Sequence, residues 1–69
     1  MFDLNAIQDF VTVVREQSYS AAARALGTPK STISKRIQNL EASLSTRLIE
    51  RTTRALRLTP EGTAFHARA

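Results

Sequence analysis

The sequence predicts a small, mainly α domain: a three-helix core, a short two-stranded β wing and the start of a further helix. Three observations carry this. Apolar residues recur at helical spacing over residues 4–14 and 33–44. Residues 19–37, YSAAARALGTPKSTISKRI, read as a short alanine-rich helix, a turn on Gly27 and a second helix opening at Thr28-Pro29, the layout of a helix-turn-helix. Residues 45–59, STRLIERTTRALRLT, then change period and read as a hairpin.

Leu4, Ile7, Phe10, Val11 and Val14 stand three, four and seven apart, which predicts an amphipathic helix over 4–16 with those residues toward the core. Gln17-Ser18 ends it. Ser20 is the expected N-cap of a helix over 21–26, with Leu26 on its buried side. Tyr19 precedes that cap, placed either to pack as a staple or to turn its hydroxyl to a phosphate. Alanines at 21, 22, 23 and 25 let two backbones approach closely, with Ala23 expected at the crossing, and Gly27 supplies the positive φ of a three-residue turn. Thr28 is the expected N-cap of the third helix and Pro29 its first residue, where a missing N–H costs nothing.

That helix should run from about residue 29 to residue 44. Ile33, Ile37, Leu40 and Leu44 lie within about forty degrees of one line on it and define its core side. Ser31, Ser34, Lys35 and Gln38 project from the opposite side, a polar face without an acid. Glu41 lies near the apolar line, where its charge is kept from anions. Arg36 is on the flank, and two readings stay open: a phosphate contact or an ion pair at the domain edge.

Leu48 with Ile49, and Leu56 with Leu58, flank a polar tip, Arg51-Thr52-Thr53-Arg54. The tip has no Gly, Asn or Asp, so a looser loop is expected rather than a two-residue turn. Thr59-Pro60-Glu61 repeats the cap logic and adds an acid where a helix dipole favours one, so a fourth helix starts there.

Sixty-nine residues without cysteine, and with a single histidine, make one domain held by helix packing rather than by disulfides or zinc. No apolar run is long enough to span a membrane, and the first residues lack the basic start and apolar stretch of a secretory signal; a cytoplasmic protein is the expectation. The formal charge is +4, unevenly placed. Asp3, Asp9 and Glu16 against Arg15 and Arg24 give residues 1–27 a sum of −1. Lys30, Lys35, Arg36, Arg47, Arg51, Arg54 and Arg57 against Glu41 and Glu50 give residues 28–58 a sum of +5. A basic half following a near-neutral one suits a domain that turns its second half to phosphates.

In a helix-turn-helix the second helix enters the major groove and its first residues meet base edges. Lys30, Ser31 and Thr32 are then the candidate readers, although Ser31 and Thr32 are equally suited to capping the helix. Ser34, Lys35 and Gln38 are placed for phosphate or base contact beyond them. Arg51, Thr52, Thr53 and Arg54 form a second candidate site, since a guanidinium suits a narrow, electronegative minor groove and hydroxyls suit phosphate oxygens. His66 reads as a surface or packing residue. No nucleophile and base pair, carboxylate pair or glycine-rich phosphate loop points to an enzyme, and no cofactor or metal is expected. A different class of reading is a module whose basic face binds an acidic protein partner.

The runs SAAARALGTPKSTISKRIQNLEASL and RLIERTTRALRLTPEGTAF closely resemble the N-terminal winged helix-turn-helix of LysR-type transcriptional regulators, from Leu4 to the C-terminus. The resemblance implies sequence-specific binding to double-stranded DNA by a bacterial transcription factor, with Ser34 and Lys35 at DNA-touching positions and Arg51 to Arg54 in the wing. Another winged-helix repressor class is the nearest rival. The resemblance further implies a DNA-binding domain over 1–58, the start of a linker and dimerisation helix over 59–69, and a homodimer or tetramer for a full-length regulator, with weak or no dimerisation of these residues alone. This chain departs from the family in having Pro29-Lys30-Ser31 where Ser-Gln-Pro is frequent, and Ser45 where Gly is common. Gln at that place suits adenine and Lys suits guanine or phosphate, so base preference is not carried over.

Overall fold

A computed structural model describes residues 4–50 and 56–68. Four helices follow in order: α1 (Leu4–Glu16), α2 (Tyr19–Leu26), α3 (Lys30–Leu44) and α4 (Pro60–Arg68). The first three pack against one another around Phe10, Val13, Ala22, Ile33 and Ile37, all fully buried.

The buried side of α1 is rotated from the one its apolar spacing predicts. Ala6, Phe10 and Val13 are buried, Ile7, Val11 and Val14 are only partly covered, and Leu4 is 78% exposed. Two apolar stripes run along this helix, and the one with the small residue wins because Ala6 admits a closer approach than Leu4. Helix α2 begins two residues earlier than expected. Ser18, with extended backbone at φ −166°, is its N-cap and its Oγ accepts from the N–H of Ala21 at 3.1 Å, the role assigned from sequence to Ser20. The earlier start makes Ala22 rather than Ala23 the fully buried alanine.

Gly27 closes α2 at φ 63°, and both it and Thr28 donate their N–H to the carbonyl of Ala23. The N-cap of α3 is Pro29, not Thr28. With ψ at 141° Pro29 stays outside the helix, and its carbonyl accepts from Thr32 and Ile33 at 3.0 and 3.2 Å. Thr28 is thereby one residue too far from the first turn, and its hydroxyl donates back to Leu26 instead. Ile33, Ile37 and Leu40 are buried as their spacing predicts, with Leu44 half-buried. Helix α3 ends on Ser45 in the left-handed region at φ 52°.

Beyond α3 the chain pairs with itself in antiparallel fashion. Ile49 lies opposite Leu58, Glu50 donates to the carbonyl of Arg57 and Thr59 to that of Leu48. This is the base of the expected wing; its tip, Arg51 to Arg54, lies outside the described residues. Thr59 caps α4 as expected. Its Oγ1 accepts from Gly62 at 2.9 Å and donates to the carbonyl of Arg47 at 2.6 Å. Helix α4 lies against the domain: Gly62 is buried, and Phe65 meets the ring of Phe10 edge to face at 5.6 Å. His66 packs on the same ring at 6.1 Å, the packing place expected for it. Among the described residues no helix is long and apolar enough to cross a membrane.

Candidate nucleic-acid interface

Helix α3 divides cleanly into two sides. Its inner side is fixed by Ile33, Ile37 and Leu40, and on the outer side Ser31, Lys35 and Gln38 are exposed, with Ser34 half-buried beside them; Lys30, the first residue of the helix, is exposed near the line of Ile33 and Ile37. Thr32, also half-buried, is on the flank. The predicted recognition-helix residues therefore share one element, four of the six on its outer side.

Of the two uses open to Ser31 and Thr32, capping is not adopted. The α3 N-cap has no side-chain hydrogen bond; the N–H of Thr32 is taken by the Pro29 carbonyl, and those of Lys30 and Ser31 open the helix without a partner in it. An uncapped N-terminus carries a partial positive charge and adds to the field of the two lysines.

Arg36 is tied to the core side. Its Nη1 lies 3.3 Å from Oδ2 of Asp9, whose side chain is 4% exposed on α1. The flank position thus serves an ion pair between α1 and α3. Glu41, placed near the apolar line from its spacing, is buried, and its Oε2 accepts from the N–H groups of Leu48 and Ile49 at 2.8 and 3.1 Å. One carboxylate oxygen so fixes the first arm of the hairpin against α3. Both acids in contact with α3 are turned inward, and its outer face keeps an undiluted positive charge.

The hairpin base leads out of the same end of the domain where α3 stops. Arg47 and Arg57 are exposed along it. The backbone is paired from Leu48 to Glu50 with Arg57 to Thr59. Arg47 was given no role by sequence beyond its charge; its signal is the carbonyl that anchors Thr59, a contact between residues twelve apart. Among the described residues no group of three or more His, Asp or Glu could hold a metal ion.

The family model for bacterial regulatory helix-turn-helix proteins of the lysR family matches residues 4–63. An HTH-type transcriptional regulator of Xanthomonas campestris pv. campestris is 48% identical over 64 residues, covering 93% of this chain and 19% of that protein. The HTH-type transcriptional regulator BenM of Acinetobacter baylyi is 42% identical over 64 residues, covering 93% of this chain and 21% of BenM. The chain thus spans about a fifth of the length of these relatives. In structure it is similar to BenM_DBD in the crystal structure of its complex with catB site 1 DNA, with a TM-score of 0.92 at 40% identity, covering 97% of this chain and 75% of that one. With a match over sixty of its residues and a shared fold, the chain belongs to the lysR family of bacterial regulatory helix-turn-helix proteins.

Proposed function

We infer that this chain is the duplex-DNA-binding domain of a bacterial transcriptional regulator, reading sequence through α3 in the major groove and contacting the minor groove with its wing. The observation that carries the reading is the split of α3: an apolar side locked into the core and an acid-free outer side bearing Ser31, Ser34, Lys35 and Gln38, with Lys30 exposed at the first turn. The likeness to BenM_DBD, which is described bound to catB site 1 DNA, supports it. Lys30 and Ser31 at the uncapped first turn, with Thr32 beside them, are the base readers. Ser34, Lys35 and Gln38 follow the phosphates and neighbouring base edges one to two turns on. Arg51, Thr52, Thr53 and Arg54 supply the wing contact. Residues 1–58 form the DNA-binding unit and 59–69 begin a helix that, in a full-length homodimer or tetramer, links subunits; the regulator works in the cytoplasm, without catalysis or cofactor.

Salt dependence tests the reading. With about four to six phosphates contacted per domain, log K should fall against log salt with a slope of roughly −4 to −5. A slope near zero on duplexes selected from a random library would remove the DNA reading and favour an acidic protein partner.

A further inference from the structure

The cations of this chain are not interchangeable. Eight of the ten are arginines, and the only two lysines, Lys30 and Lys35, are both exposed on α3, Lys30 as its first residue and Lys35 on its outer face. Neither ammonium makes a hydrogen bond or ion pair with a described residue, whereas Arg15 is paired with Glu16 and Arg36 with Asp9. Asp9 and Glu41, the two acids bonded at α3 among the described residues, are held inside. The side chains that carry a primary amine are thus confined to the surface that reads DNA.

We propose that Lys30 and Lys35 are an acylation site through which activated acyl donors, acyl phosphates or acyl thioesters, switch off DNA binding. This rests on the DNA-binding reading above. The amine, having lost its proton to solvent, attacks the acyl carbon; the N–C bond forms as the C–O bond to phosphate or the C–S bond to the thiol breaks. Phosphate or thiolate leaves with the electron pair, the nitrogen gives up its second proton to the leaving group or to solvent, and the lysine becomes a neutral amide. Acyl phosphates are anionic, and the uncapped start of α3 with its acid-free face concentrates them where the two amines stand. Arginine does not undergo this reaction at ordinary pH because its guanidinium stays protonated. Each acylation removes one charge from the face that meets phosphates and turns a donor of three hydrogen bonds into a bulkier neutral group. The arginines at 47, 51, 54 and 57 keep the hairpin cationic throughout, so modification acts on α3 alone.

The test treats the 69-residue chain with acetyl phosphate until it is partly acetylated. The pool is passed over an immobilised duplex selected from a random library by the untreated chain, and acetyl groups are located by peptide mass spectrometry in the retained and unretained fractions. Acetyl-Lys30 and acetyl-Lys35 should be enriched about tenfold in the unretained fraction, while acetylation of the N-terminal amine divides evenly. Equal division of the two acetyl-lysines, or no acetylation at either lysine while the N-terminal amine reacts, overturns the proposal and leaves DNA binding standing. Failure of the untreated chain to select or retain any duplex overturns both.

Discussion

At the scale of single residues, the backbone places two non-glycine residues in the left-handed region, Gln17 at φ 56° and Ser45 at φ 52°. Ser45 closes α3 with φ 52° and ψ 36°, a conformation in which a Cβ costs about 1 kcal/mol and glycine costs little. Its side chain is exposed, so nothing is lost by removing it. Ser45→Gly should stabilise the domain by about 1 kcal/mol, read as a rise in the midpoint of chemical unfolding with unchanged slope. The two sides of α3 make opposite predictions. Lys35→Ala should weaken DNA binding and flatten the salt slope by about one unit with the melting temperature held. Ile37→Ala, a truncation in the fully buried core, should cost about 2–4 kcal/mol of stability. Equal losses of melting temperature in the two variants would show that the faces are wrongly assigned. Gly62 marks a limit of sequence reading at this scale. A Cβ there would run into the carbonyl of Leu48, so glycine is demanded by a backbone fourteen residues away and not by its own φ. No local pattern contains that information.

At the scale of elements, what the sequence revealed follows from whether an element's partners are near in sequence. The helix-turn-helix was legible because Gly27 and the Ile33, Ile37 and Leu40 line depend on local geometry. The α4 cap was legible because Thr59 and Gly62 are three apart. The buried side of α1 was not, since Ala6 and Leu4 compete for it and the choice lies with the packing surface of α2 and α3. Nor was the role of Glu41, whose partners are amides of Leu48 and Ile49 reached across the bend at Ser45. Arg36 shows how structure decides between readings that spacing leaves level. Its pairing with buried Asp9 makes it a brace between α1 and α3 rather than a phosphate contact. Arg36→Ala strands a carboxylate that is 4% exposed. It should therefore cost about 1–3 kcal/mol of stability, the guanidinium being a third exposed and its pairing partly screened. The salt slope of DNA binding should stay within about half a unit of the parent value. A drop of a full unit would return Arg36 to the DNA-facing set.

At the scale of the whole molecule, size and the use of α4 decide what one copy can do. The described residues span 29 × 27 × 19 Å and carry one recognition helix. Successive major grooves on one side of a duplex are about 34–36 Å apart, so one copy covers one half-site and a palindrome needs two. Under the proposed function α4 would hold a second copy, but two of its residues are spent within the domain. Gly62 is pressed on Leu48 and Phe65 on Phe10. That leaves Pro60, Glu61, Thr63, Ala64, Ala67 and Arg68 exposed on a helix of nine residues, about 14 Å long, with Ala64 and Ala67 its only exposed aliphatic side chains besides the proline. Stable interfaces bury about 800 Å² per partner, more than the exposed side of so short a helix provides. The 69-residue chain should therefore be largely monomeric at micromolar concentration, sedimenting as a 7.6 kDa species. On a palindromic duplex, two copies should bind with an affinity set by each half-site, and cooperativity should arise only when the half-sites lie one helical turn apart. Sedimentation equilibrium without DNA decides it: a tight dimer would mean that the exposed stripes, Leu4 on α1 among them, form an interface that α4 alone does not explain.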